Sequence, residues 1–261
     1  MAGGKGFRSW LLQLVGVLLA LGLWQLVSAV GAVPSGELPS MAAALRALGR
    51  VALSGSLWPL VGSTLETWAI GLGLAVGGGV VLGLVIASIG PLQQALSGVI
   101  EFLRPVPAVA VIPLAIVLFG VGQVSAVFLV LVGSLWPVLI QTIAGVRAID
   151  GLALETASVF ALSRLTTYRF VRLRGALPLI VTGVRLSSAI ALILAVTAEL
   201  IIGSPGLGQA IDVAQQGADL PLMYGLIVAS GILGYLLNII MEAASALLAP
   251  WNRSPTRSVA S

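Results

Sequence analysis

Residues Gly151–Pro178 read GLALETASVFALSRLTTYRFVRLRGALP, and the fold turns on what this stretch is. Arg164, Arg169, Arg172 and Arg174 fall within eleven positions, with apolar residues between them at helical spacing. On both sides the chain is apolar for ~20 residues at a time, the length a helix needs to cross a hydrocarbon core of ~30 Å. A basic loop held between such segments belongs on the cytoplasmic side of a membrane. It divides at Ser163–Thr166 into two short amphipathic helices with apolar faces and basic rims, the form expected of a docking surface.

The rest of the composition agrees. Of 261 residues, 59% are hydrophobic and 8% are charged, and the mean hydropathy is +1.12. A soluble domain carries ~25% charged residues, so this chain lacks the polar surface to cover a water-soluble globule. Its 32 glycines suit helices that approach closely in lipid. The apolar runs are continuous, unlike the ~10-residue alternating segments of a barrel, so the spans are helices. With no Cys and no His, the chain has no disulfide, no thiolate or imidazole metal site and no imidazole-based catalysis. Lys5 is the only lysine and lies in the N-terminal tail, which argues against a Ser–Lys hydrolase. The net charge of +4 sits beside apolar runs, where membrane orientation explains it and a nucleic-acid partner does not.

The reading that follows is an all-α integral membrane protein of one domain over residues 1–261. About six transmembrane helices are expected, at residues 10–33, 60–89, 105–119, 125–146, 179–202 and 221–248, with the basic loop 150–178 between the fourth and fifth. Met41–Leu57 is weakly amphipathic, with Arg46 and Arg50 on one face, and reads as an interfacial helix. Lys5 and Arg8, Arg104, the cluster from Arg147 to Arg185, and Arg253 and Arg257 place both termini and the loop in the cytoplasm. Arg46 and Arg50 are the exceptions to that rule. Pro105, Pro107 and Pro113 punctuate the third span and free backbone carbonyls, which must then be met by neighbouring helices or a water-lined path. Gly203–Leu220 carries only the acidic charges Asp212 and Asp219 and reads as a Gly-rich outer loop. Its GSPGLG follows no strand and lacks a Lys-Ser/Thr pair, so it is not a nucleotide loop.

Glu155 is expected in the first turn of a short helix, where a carboxylate favours the dipole. Glu199 has two open readings. Within the bilayer it would mark an ion or substrate pathway; at the outer interface it would satisfy backbone N–H groups of the following loop. Gln141, Ser187, Ser188 and Thr197 are either interhelical hydrogen-bonding groups or path-lining ones. Two function classes therefore stand: a permease driven by a partner docked on the basic loop, and a stand-alone channel or ion-coupled transporter using Glu199.

Glu155-Thr156-Ala157, then Ala161, Val171 and Leu173, then Leu177-Pro178 and Gly183-Val184-Arg185-Leu186 resemble the EAA loop of binding-protein-dependent ABC transporter permeases. Thr156, Ala161 and Arg174 stand where that pattern has Ala, Gly and Pro. Arg104–Gly122 (RPVPAVAVIPLAIVLFGVG), Ala144–Asp150 and Ala198–Ile211 resemble landmarks of the sulfonate, taurine and nitrate branch. The resemblance implies a multi-pass subunit of the bacterial cytoplasmic (inner) membrane, embedded in lipid. It implies a path for a small solute of the sulfonate, nitrate, bicarbonate or aromatic carboxylate type, delivered by an extracytoplasmic solute-binding protein. It also implies a second permease copy, forming a homodimer, and a cytoplasmic dimer of ATP-binding subunits that holds ATP and Mg. The chain itself would hold no cofactor, metal or nucleic acid and would catalyse nothing. Glu155, Thr156, Ala157, Ala161, Leu162, Arg164, Arg169, Val171 and Leu173 would form the ATPase-coupling segment. Glu199, Gln141, Ser187, Ser188 and Thr197 would belong to the translocation path. No basic residue reads as mid-membrane, which would leave selectivity to the binding protein.

Overall fold

The computed structural model describes residues 3–30, 37–149, 151–163 and 166–248, and every regular element among them is helical. In chain order these are α1 (Gly3–Val30), α2 (Met41–Leu53), α3 (Leu57–Ser88), α4 (Gly90–Leu103), a 3-10 turn (Ala108–Val111), α5 (Ile112–Phe119), α6 (Gln123–Arg147), α7 (Gly151–Val159), a π-helical turn (Thr167–Arg172), α8 (Leu173–Ile202), α9 (Leu207–Gln216) and α10 (Leu220–Leu248). Two compact units result, one of residues 3–60 and 210–231, the other of 61–209 and 232–248.

In the first unit α2 begins at Ser40, whose hydroxyl accepts the Ala43 N–H at 3.3 Å. Arg50 lies in its last turn, where a cation favours the helix dipole. Trp24 donates to the Pro39 carbonyl at 3.1 Å and packs on Tyr224 at 5.8 Å between ring centroids. Gly225 lies where any side chain would come within 2.8 Å of the Ala44 carbonyl, so the first part of α10 packs directly on α2.

The second unit is built on α3, α6 and α8. Gly71, Ala75, Gly79 and Gly83 recur every fourth residue on α3 and so share one face. A Cβ at Gly71, Gly79 or Gly83 would fall within 3 Å of Val130, Val138 or Thr142 of α6 respectively. Gly145 and Gly183 allow the same approach between α6 and α8. In lipid, where apolar burial drives no helix association, such close packing is the main attraction between helices. Leu72, Leu129, Val130, Leu194 and Ala195 belong to one cluster of this core, and Leu84, Val146, Ala176 and Ile180 to another. Ser187 donates to the Ser134 carbonyl at 2.6 Å, and the Trp68 indole to the Ser188 carbonyl at 3.0 Å, tying α8 to α6 and to α3.

Four helices are long and apolar enough to cross a membrane: Leu57–Ser88, Gln123–Arg147, Phe170–Ile202 and Leu220–Leu247. These overlap the stretches expected as the second, fourth, fifth and sixth spans. The expected first span lies on α1, with residues 31–33 outside the described set. The third departs. Residues 105–119 are only the second arm of a pair, Gly90–Leu103 and Ala108–Phe119, bent by 89°. Pro105 and Pro107 lack the N–H groups a continuing helix needs, and each disfavours helical geometry in the residue before it.

Three further boundaries move. Gly203–Leu220 is not a loop: Leu207–Gln216 is a helix. Glu155 is the fifth residue of α7, not part of its first turn. The fifth span also does not begin after Pro178. Helix runs without interruption from Thr167 to Ile202, with Pro178 inside it. The π turn and the helical Arg174, which occupies the place of a helix-breaking Pro, carry the chain across. Arg174 lies 4.9 Å from the centre of the Phe170 ring, which keeps its charge at the helix surface.

Candidate functional site

Three places in the second unit are candidates for function. The first is the basic loop expected to couple to a partner. α7 ends in a Schellman turn, in which the Leu162 N–H reaches the Ala157 carbonyl at 3.0 Å and the Ala161 N–H reaches Ser158 at 3.0 Å. Ala161 itself is left-handed, with φ 48°. A glycine takes that conformation without the ~1 kcal/mol steric cost a Cβ brings. Ala161, where the EAA pattern it resembles has Gly, is therefore held against its preference. Ala161→Gly is expected to tighten the turn by about 1 kcal/mol, roughly five-fold in its opening equilibrium. Slower hydrogen exchange at the Leu162 amide would show it.

Around that turn Ala157 is buried at 4% exposure, while Val159, Phe160 and Leu162 stand 81%, 73% and 42% exposed. Glu155 and Thr156 are exposed, and the Thr156 hydroxyl bonds back to the Leu152 carbonyl at 2.7 Å. Val171 and Leu173 are half-buried, Leu173 against the Leu84–Val146 cluster. Arg169 lies in the π turn, and Arg164 lies outside the described residues.

The second place is Glu199, fully buried near the end of α8. Its Oε2 accepts the Thr64 hydroxyl at 2.9 Å and the Gly208 N–H at 3.0 Å, and the Thr64 Oγ1 accepts the Leu207 N–H at 3.0 Å. Carboxylate and hydroxyl together satisfy the first two N–H groups of α9, which no helical carbonyl can reach. The glycines of GSPGLG serve this contact. Gly203 is left-handed and closes α8 on the Glu199 carbonyl at 3.0 Å. Gly206, at φ +156°, lies where a Cβ would strike the carboxylate. Gly208 lies where one would strike the Val196 carbonyl. Of the two readings of Glu199, the one in which it holds the following segment describes these bonds.

The third place is a pair of adjoining cavities, about 650 and 210 Å³, that share Arg104 and Ile140. Gln141 lines the larger one. The other residues expected along the path do not line it. Ser187 and Ser188 join helices, Thr197 bonds back to the Ile193 carbonyl at 2.7 Å, and Glu199 holds α9.

Comparison with known proteins places this architecture. The family described as the binding-protein-dependent transport system inner membrane component matches residues 79–254. The putative aliphatic sulfonates transport permease protein SsuC of Escherichia coli (strain K12) is 32% identical, covering 94% of both chains. The chain belongs to this family of transport permeases. The permease falls with the sulfonate, taurine and nitrate-type branch. It also resembles the riboflavin transport system permease protein RibX of Chloroflexus aurantiacus, at 32% identity over 92% of this chain and 90% of that one. Among solved structures, an inward-facing MetNI methionine ABC transporter superposes with a TM-score of 0.63. The match covers 71% of the permease and 93% of that chain at 19% identity, which shows a common fold. The permease is thus a multi-pass inner-membrane subunit of a binding-protein-dependent transport system. It is not itself an enzyme, since the family's ATPase is a separate subunit.

Arg104 reads as an orientation signal between spans, and the structure puts it directly after Gly90–Leu103, at the 89° bend before Ala108–Phe119. The Arg-Pro-Val-Pro sequence was the available signal, because two prolines so close together cannot continue a straight helix.

Proposed function

We propose that the permease is the membrane subunit of an ATP-driven importer for a small organic or inorganic anion. The single observation that carries the coupling is the apolar tip of the basic loop, Val159, Phe160 and Leu162, exposed beyond the membrane-crossing helices. Contiguous apolar surface outside the bilayer marks a protein contact. Glu155, Thr156, Ala157, Ala161, Leu162, Arg164, Arg169, Val171 and Leu173 form the segment that seats in a groove of a cytoplasmic ATPase. The ATPase dimer holds ATP and Mg. A second copy of the permease completes the path, a solute-binding protein delivers the cargo from outside, and both termini lie in the cytoplasm. Residues 1–261 act as one transmembrane domain.

The continuity of helix from Thr167 to Ile202 gives this coupling a lever. Movement imposed on the coupling segment is carried along α8 to the Glu199 contact with α9, with no flexible joint between. Alternating access then follows as rigid-body motion. Gln141, beside the larger cavity, belongs to the path; relatives named for sulfonates, taurine and nitrate support an anionic cargo. The test is reconstitution in liposomes with a partner ATPase and a solute-binding protein. Uptake that stops when hydrolysis is blocked is the expected result. Uptake driven by an ion gradient through this chain alone would end the reading.

A further inference from the structure

We propose that the groove along α6 is the anion route and that Arg104 selects within it for an organic anion with an apolar body. This rests on the importer reading above and names the chemistry of its path.

The geometry begins with periodicity. Gly133, Trp136, Ile140, Ile143 and Arg147 recur at three- and four-residue steps and so form one face of α6. The first three line the larger cavity and the last three the smaller, so the two adjoin along a single stripe. The opposite wall of the larger cavity includes Leu186 and Ile190 of α8. Ile140 precedes the end of α6 by seven residues, about 10 Å at 1.5 Å per residue. Arg104, which lines both cavities together with Ile140, is thereby assigned to the groove within the length of the membrane-crossing α6.

A cation so placed is costly and is kept for function. Arg104 is exposed and, among the described residues, makes no ion pair. Arg185 is already paired with Glu242 at 3.4 Å. The smaller cavity adds Arg147 and one carboxylate, Glu101, so the groove keeps an excess of one positive charge. The backbone agrees. Between Arg104 and Pro107 the helix is broken and bent by 89°, and Arg104, Val106 and Ala108 line the larger cavity. Non-helical backbone at membrane depth is tolerated where it lines a water-filled space, and broken helices are where transporters hold their cargo.

The walls choose the kind of anion. A volume of about 650 Å³ is that of a small-molecule site. A sulfonate or carboxylate head fits the guanidinium fork of Arg104, with the Gln141 amide as a second donor. An alkyl or aromatic body then lies against Trp136, Leu186 and Ile190. A bare inorganic anion would leave that apolar wall uncovered.

The chain contains no cysteine, so a single introduced thiol reports on its own surroundings. Ile140→Cys is placed in the assembled importer in lipid nanodiscs, with Val117→Cys, 82% exposed and lining neither cavity, as the control. Each is labelled with sulfonate-headed and with trimethylammonium-headed methanethiosulfonate, every rate normalised to that reagent's rate with a free thiol. At Ile140→Cys the anionic reagent is expected to be favoured about ten-fold, the lower end of what electrostatic focusing in a cleft produces. Arg104→Lys should retain the preference and Arg104→Gln should abolish it. Butanesulfonate should slow labelling at concentrations where nitrate does not. A thiol unreactive to both reagents, a preference that survives Arg104→Gln, or protection by nitrate equal to that by butanesulfonate would overturn the proposal. Should the Arg104 variants fail to fold, the reagent preference and the protection at Ile140→Cys still decide it. ATP-driven uptake with no charge preference in the groove would end this proposal alone, whereas gradient-driven uptake without the ATPase would end the importer reading on which it rests.

Discussion

Glu199→Ala is expected to destabilise the permease by about 3–5 kcal/mol, enough to remove most of it from the membrane. The substitution strands the buried Gly208 N–H, and an unmet buried donor costs about 1–3 kcal/mol. It also leaves a cavity where a fully buried side chain stood, which adds a comparable amount. The start of α9 loses its anchor as a result. Glu199→Gln keeps an acceptor oxygen at the same reach and is expected to recover most of the yield. Fluorescence-detected size-exclusion chromatography after graded heating separates the two variants. The comparison also tests an ion-coupling role. A carboxylate that must ionise in each transport cycle would leave the Gln variant folded but inactive. A carboxylate that holds a helix end leaves it folded and active.

Glu155→Lys is expected to reduce ATP-driven uptake by more than ten-fold while the permease still folds and inserts. Glu155 is exposed, in the middle of α7, and none of the bonds that close the Schellman turn involves its side chain. Reversal of its charge therefore leaves the turn intact. At a docked interface, however, like charges brought together cost several kcal/mol, and tenfold needs only 1.4. Uptake and ATP hydrolysis measured in the same proteoliposomes give the readout. The expected result is hydrolysis that no longer drives uptake. Uptake equal to that of the unsubstituted importer would remove Glu155 from the contact.

The basic loop stands out in the sequence because its signals are local. Its charges, its helical spacing and the match at Glu155-Thr156-Ala157 all lie within one stretch of chain. Even there the consequence of Ala161 needed coordinates, since a left-handed φ at a non-glycine residue contradicts its propensity and is imposed by the turn around it. The helix in Gly203–Leu220 was missed for a related reason. Gly203, Gly206 and Gly208 read as breakers, but two of them are glycine because a buried carboxylate and a carbonyl from elsewhere approach their backbone. The place of Arg104 on the α6 groove could not be read from charge counting, because it depends on the 89° bend that follows Leu103.

By itself the sequence determined the class and most of the helices long and apolar enough to cross a membrane, and it singled out the basic loop. Those properties follow from hydropathy, length and charge, which add along the chain and need no knowledge of neighbours. Only the tertiary structure decided that Glu199 holds the start of α9, that Thr167–Ile202 is one helix, and that Arg104 faces the α6 groove. Each depends on which distant residues are brought within about 3 Å of one another, or on a helix that continues through its own proline. Neither is set by the local pattern of residues.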